Sequence, residues 1–243
     1  MKTLLATIGL GGQYPRLVAR MIEKFHHASP GFQLSAWVNA LPPGAPENVV
    51  LDGYDYTPYC AKPFALRALR DAGADVGILL DAAFWPIRPI HPLVSHIQQH
   101  GCYFCFNGFK VGQWCSDIAL ARFGMSRDEA FEIEELSSYC VGLDFSRVDA
   151  NRVLNEWCRM AGDGVTFPAP HTNINATSTI GDRNKGFVST DPRVMGHRHD
   201  QTVLSVLVHW YQMGPLVHRP MFTAYHGKES SDTVLVNWGE IIE

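Results

Sequence analysis

Residues 74–81 read Ala-Asp-Val-Gly-Ile-Leu-Leu-Asp, an apolar run that stops abruptly at a carboxylate. A run this short and this apolar is a strand buried on both faces, and such strands belong to sheets covered by helices on each side. Ligands of open α/β sheets bind outside the carboxyl ends of the strands. Asp81 stands at such an end, either as a ligand-binding group or as the cap of the turn that follows.

The alternation of strand-like and helical patterns runs along the whole chain. Thr3 to Gly9 reads as a first buried strand, followed by the loop Leu10-Gly11-Gly12-Gln13 and a helix from about Pro15 to Phe25. Gln33 to Ala40 is a second strand, after which LPPGAPEN breaks regular structure. Helices are expected over Lys62–Ala72, Leu93–His100, Val148–Met160 and Asp200–Gln212, with a further strand over Tyr139–Phe145. Ser126-x-x-Glu129 is a capping box for a short helix. The pattern predicts one α/β domain over residues 1–243, its mixed and mostly parallel central sheet flanked by helices. Between Gly162 and Met195 a polar segment lacks periodicity, which predicts a lid or acceptor loop carrying His171 and Asn173.

Composition narrows the function classes. With 243 residues, 46% of them hydrophobic, the chain can bury one sizeable core. Lys and Arg number 20 against 24 Asp and Glu, a formal charge of −4 without basic runs, which argues against generic duplex binding. A local groove of Arg16, Arg20, Arg67 and Arg70 is the remaining basis for a nucleic-acid acceptor. The N-terminal apolar run is too short for a signal peptide, and no stretch approaches the roughly 18 to 20 apolar residues that cross a bilayer. Six cysteines among apolar neighbours read as reduced, buried thiols of a soluble cytoplasmic protein. Cys102 and Cys105, in GCYFCF, fall on opposite faces of a strand, so they read as core thiols rather than a metal pair.

GHRHDQTVLSVLVHW is the second informative stretch. Asp200 and Gln201 stand at the start of a helix that is apolar nearly all round, behind His197, Arg198 and His199. The free N–H groups of a helix start, with these imidazoles and the guanidinium, would supply donors for an anion. The alternative is that Asp200 is an N-cap. The pairs His197/His199 and His26/His27, with His91, His96 and His100, are the basis for a rival reading as a metal-dependent hydrolase, but no third ligand stands at a telling spacing.

The order of the pieces carries a resemblance. Thr7-x-Gly9 on the first strand, Tyr14, Lys62 on a helix, Leu-Leu-Asp81, the following Trp-Pro-Ile and the late Asp200-Gln201 resemble glycosyltransferases of the GT-A fold, over roughly Thr3 to Lys228. The likeness is to the glycogenin and lipopolysaccharide-galactosyltransferase type and to related bacterial and phage sugar transferases. It implies an enzyme that moves a sugar from a nucleotide-diphosphate sugar to an acceptor, whether a glycan, a small molecule or a modified nucleic-acid base. By the same resemblance Thr7, Ile8, Gly9 and Tyr14 surround the base and ribose, and Lys62 lies near the donor. Asp81 matches the first acid of an Asp-x-Asp motif that holds Mn²⁺ or Mg²⁺ on the diphosphate. Here the triplet is Asp81-Ala82-Ala83, so the second acid is missing and one carboxylate makes a weak site. His226 and Lys228 are similar to a terminal element in which His completes the metal shell and Lys meets the diphosphate. Without a metal, Lys228, Arg198 and Lys62 would neutralise the leaving group. Asp200 is implied as the acid beside the reacting sugar and Gln201 as a ligand of its hydroxyls, with retention slightly favoured. Trp85, Asn107, Trp114 and Asp117 are implied on the acceptor side. The missing acid also leaves open a domain that binds a nucleotide or sugar without transferring it.

Overall fold

Strand β1 (Thr3–Gly9) sends Leu4 and Ala6 into one apolar cluster and Leu5 into another, the period-2 alternation of a strand with a core on each face. The computed structural model describes residues 1–10, 12–45, 50–51, 54–55, 57–176, 184–217 and 221–238. After β1 come α1 (Tyr14–Ala28), β2 (Gln33–Val38), the short pair β3 (Val50–Leu51) and β4 (Tyr54–Asp55), and α2 (Thr57–Asp71). The middle holds β5 (Val76–Asp81), β6 (Phe84–Pro86), α3 (His91–His100), β7 (Cys102–Lys110), α4 (Asp117–Phe123), α5 (Arg127–Glu132) and β8 (Glu134–Asp144). The last part holds α6 (Val148–Ala161), β9 (Thr172–Asn173), β10 (Lys185–Gly186), α7 (His199–Trp210), β11 (Thr223–Tyr225) and β12 (Leu235–Asn237).

The central sheet has the order β2-β1-β5-β8-β7. β1 is parallel to both β2 and β5, whereas β8 runs antiparallel to β5 and to β7. One core face is covered by α2, α6 and α7, the other by α1 and α3. Trp157 of α6, fully buried, is the kind of side chain whose burial contributes about 1.5–3 kcal/mol or more. Cys102 and Cys105 fall into opposite clusters, and all six cysteines are buried and free. Among the described residues no helix is long and apolar enough to cross a membrane.

Register decides what meets at the carboxyl edge of β5. Ile8 lies opposite Asp81, and Leu80 lies opposite Cys140. Because β8 runs the other way, its early residues, Glu135 to Ser138, sit at the same edge as Asp81, and Cys105 and Phe106 of β7 pair with Ser137 and Leu136. A small second sheet, β11-β12-β6, continues from this edge through the two residues between β5 and β6. Gly9 ends β1 where a β-carbon would stand 2.6 Å from Val18 Cγ2 and 3.0 Å from the Tyr14 carbonyl, so α1 can start only against a glycine.

Two boundaries differ from expectation. β8 begins at Glu134, not Tyr139, because Glu135, Ser137 and Ser138 are buried polar residues that interrupt the apolar pattern. α2 begins at Thr57, not Lys62, and contains Pro63. Lys62 therefore lies inside the helix, one turn after Tyr59 and on the same side.

Candidate active site

Lys62 organises the edge. Its ammonium lies 2.8 Å from Asp81 Oδ1 and 2.9 Å from Asp200 Oδ2, and donates to Ser138 Oγ at 3.1 Å. An ammonium has three donors, so these three oxygens use it fully. Two carboxylates that are far apart in the chain thus share one cation. Asp81 does not cap a turn, and Asp200 is no N-cap: α7 has no side-chain cap, and Asp200 Oδ2 also accepts from the Ser138 hydroxyl. Burial alone would push Lys62 down, but the carboxylates of Asp200 and Asp81 outweigh it and hold the ammonium above the ordinary lysine range. Asp81 is pushed up by burial against the pull of Lys62, and its 37% exposed side chain lets solvent soften that effect. Asp200 is 1% exposed.

The start of α7 is tied down on every side. His197 Nδ1 accepts from the Ser116 N–H at 3.2 Å, which leaves Nε2–H to donate to the Thr166 carbonyl, also at 3.2 Å. His199 Nδ1–H donates to the Phe167 carbonyl at 3.0 Å, and its ring stacks on Tyr59 with centroids 4.6 Å apart. Burial pushes both imidazoles down to about 3, so they are neutral. The expectation that they supply donors for an anion is corrected, because their ring N–H groups are spent on those carbonyls; of the three residues before Asp200, Arg198 alone is a cation. His199 also adopts φ +43°, a conformation that costs a non-glycine residue of order 1–3 kcal/mol and is sustained by its surroundings. Gly196 is required as well, since a β-carbon there would lie 1.9 Å from the His171 carbonyl oxygen.

Beside this knot, Asn107 Nδ2 donates to Glu135 Oε2 at 2.6 Å and to Gln201 Oε1 at 3.4 Å. Glu135 is fully buried, and that burial pushes its carboxyl up to about 8 despite the Asn107 hydrogen bond and the nearby Arg198 guanidinium. With its carbonyl oxygen held by Asn107, Gln201 has its NH₂ donors to offer elsewhere.

Several buried polar atoms around the edge lack partners: Thr7 Oγ1, Asp200 Oδ1, Arg198 Nε and Trp114 Nε1. An unmet buried donor or acceptor costs about 1–3 kcal/mol unless water or a ligand meets it. The Arg198 guanidinium lies over the Trp114 ring, 3.9 Å from its centroid, within electrostatic reach of Glu135, Tyr59, Asp200 and Tyr225.

The structure thus brings Thr7, Ile8, Lys62, Asp81, Asn107, Trp114, Arg198, Asp200 and Gln201 to one sheet edge, with Gly9 at the end of β1. Tyr14, at the start of α1, interacts electrostatically with Tyr59 and so borders the same place. The other expected residues have separate surroundings. Asp117 pairs with Arg127 at 2.6 Å. Trp85 is 7% exposed between Arg20 and Trp238, in the opposite core. His226 stacks on Trp238 with centroids 3.5 Å apart and meets Glu229 at 3.3 Å, while Lys228 is exposed in the turn after β11. Asn173 uses its amide on Ser189, Val194 and Val188, which ties it to residues 188–194, and residues 177–183 of the expected lid lie outside the described residues. Arg16 and Arg20 sit on α1, Arg67 and Arg70 on α2, across the sheet, so they form no common groove. Tyr59 escaped sequence reading, and Glu135 and Ser138 entered it only within the stretch Glu135–Asp144, which the resemblance implies on the acceptor side; the signal that could have singled them out was two acids and two serines interrupting an otherwise apolar strand.

The residues do not assemble a metal set. Asp81 Oδ1 is occupied by an ammonium, His226 is engaged elsewhere, and among the described residues no group of three or more His, Cys, Asp or Glu is placed to hold an ion.

No family model matches the chain, and no curated protein matches it by sequence. Among solved structures it superposes on the apo structure of the bifunctional glycosyltransferase WbbM with a TM-score of 0.53 at 10% identity, over 98% of this chain and 46% of that one. The chain has a GT-A-like glycosyltransferase fold. It spans about half of the bifunctional protein. A glycosyltransferase involved in glycosylation of the PBCV-1 major capsid is covered to 93%, with 98% of this chain, at 10% identity and a TM-score of 0.47. In the glycosyltransferase fold the edge that carries Asp81 and the start of α7 face each other across Lys62, the juxtaposition that the spacing of the two motifs had left open.

Proposed function

We propose that this chain is a glycosyltransferase that takes its sugar from a nucleotide-diphosphate sugar. The observation that carries the reading is the single ammonium of Lys62 holding Asp81 and Asp200 together at the sheet edge, with Asp200 Oδ1 and Arg198 Nε unmet beside it. On this reading Thr7, Ile8, Gly9 and Tyr14 border the nucleoside, and Gln201 donates its NH₂ to sugar hydroxyls. Asp200 faces the reacting sugar carbon.

Bond breaking moves the electrons of the sugar–oxygen bond onto the diphosphate, so a cation near the leaving oxygen and a fixed anion near the sugar both favour the transition state. A carboxylate with one oxygen held by an ammonium and a hydroxyl is a fixed charge more than a base. That supports a positioning and charge-stabilising role for Asp200, and with it retention over inversion. Asn107, held by Glu135, borders the acceptor side together with Trp114 under Arg198.

The test is a panel of nucleotide sugars incubated with the protein, with release of nucleoside diphosphate as the readout. The reading expects one donor to be turned over and Asp81→Ala to abolish that turnover. Tight nucleotide binding without turnover by any donor would instead identify a domain that binds and does not transfer.

A further inference from the structure

We infer that the donor diphosphate is met by the Arg198 guanidinium without a divalent cation, Lys62 standing between the two carboxylates in the place a metal ion would need. The inference rests on the transferase reading and deepens it. Its first ground is the donor set. A hard cation needs several oxygen ligands, and the second acid of the expected motif is Ala83. Asp81 already spends Oδ1 on an ammonium at 2.8 Å, and an ion on its other oxygen would stand close to that like charge. His226, the other expected ligand, has one ring nitrogen on Glu229 and its face on Trp238.

The second ground is which cation is left to act. Lys62 has all three donors satisfied and is 13% exposed, so its charge balances Asp81 and Asp200 rather than a ligand. Lys228 is exposed on a surface turn. Arg198 is half-buried, its Nε is without a partner, and no side-chain hydrogen bond or ion pair engages it among the described residues. A planar guanidinium presents paired donors that match phosphate oxygens, and stacking on Trp114 fixes its plane. Its electrostatic reach to Tyr225 of β11 sets it near the second sheet as well as at the start of α7.

The experiment measures binding of uridine, guanosine, cytidine, adenosine and thymidine diphosphates, and of inorganic pyrophosphate, by calorimetry and thermal shift, in EDTA and in Mn²⁺. At least one nucleotide is expected to bind in EDTA, with an affinity that Mn²⁺ changes less than about threefold. Arg198→Ala is expected to weaken that binding by about tenfold or more, with Arg198→Lys intermediate and Lys228→Ala near wild type. The unliganded melting midpoint checks that each variant folds, and Arg198→Gln serves if Arg198→Ala does not. Binding that appears only with Mn²⁺, or Arg198 variants that bind as wild type does, would overturn the inference while leaving the transferase reading intact. No binding in either condition would sink both.

Discussion

The start of α7 and the turn after β11 look alike in sequence, each offering histidine beside a cation, yet they are physically opposite. At the start of α7 the histidines are buried and neutral, the backbone is strained at His199, and Asp200 and Arg198 keep polar atoms unmet. In the turn after β11, His226 and Lys228 are solvent-exposed, and His226 is satisfied by its own neighbours, Glu229 and Trp238. Strain of this kind persists only where the surrounding structure enforces it, so the start of α7 is held by its neighbours at a cost that the turn after β11 does not carry.

The sharpest way to break this contrast is Lys62→Met. It strands two carboxylates, one of them 1% exposed, and removing one partner of a buried ionic cluster costs about 3–5 kcal/mol. Denaturant unfolding should show that loss, and a cost under about 1 kcal/mol would mean the cluster is not the organising element. Asp200→Asn keeps the shape and removes the charge. Turnover of the accepted donor should fall by about 10²–10³-fold, the scale of losing one preorganised electrostatic group.

A pH titration of stability sharpens the comparison further. Glu135 rises from 4.5 to about 8, so between those values the folded state keeps a proton the unfolded chain has lost, and stability falls as pH rises. His197 and His199 drop from 6.5 to about 3, so the unfolded chain gains protons there that the folded state refuses, and stability falls as pH falls below 6.5. The melting midpoint should therefore peak near pH 6.5, and Glu135→Gln should flatten the alkaline limb and steepen the acid limb between pH 4.5 and 6.5, where Glu135 opposes the histidines. An unchanged alkaline limb would remove Glu135 from the account. The smallest effects belong to the other region: His226→Ala and Lys228→Ala should each change stability by about 0.5 kcal/mol or less, measured by the same unfolding.

How much of this could be read beforehand depends on whether polarity followed the local pattern. β1, β5 and α7 were legible as unbroken apolar runs, as Leu4, Leu5 and Ala6 are on β1, and α6 as an apolar stripe with the period of a helix. Asp81 and Asp200 were legible because each ends or begins such a run. Glu135 and Ser138 were not, since a buried acid and serine inside a central strand contradict the pattern that identifies strands. Nor could spacing show that His197 and His199 are buried, and so neutral, with ring N–H groups on the carbonyls of residues 166 and 167, a tertiary contact. Nor does local sequence reveal the partners of the two expected metal ligands, Glu229 and Trp238 for His226 and Lys62 for Asp81.

A crystal structure with the nucleoside diphosphate selected by the binding panel tests the central claim most directly. The account predicts the diphosphate within hydrogen-bonding distance of Arg198, at the edge shared by Asp81 and Asp200, with Lys62 still bridging the two carboxylates. A nucleotide seated elsewhere, for example in the cavity of about 330 Å³ beside Phe123 and Trp210 at the far end of α7, would contradict it.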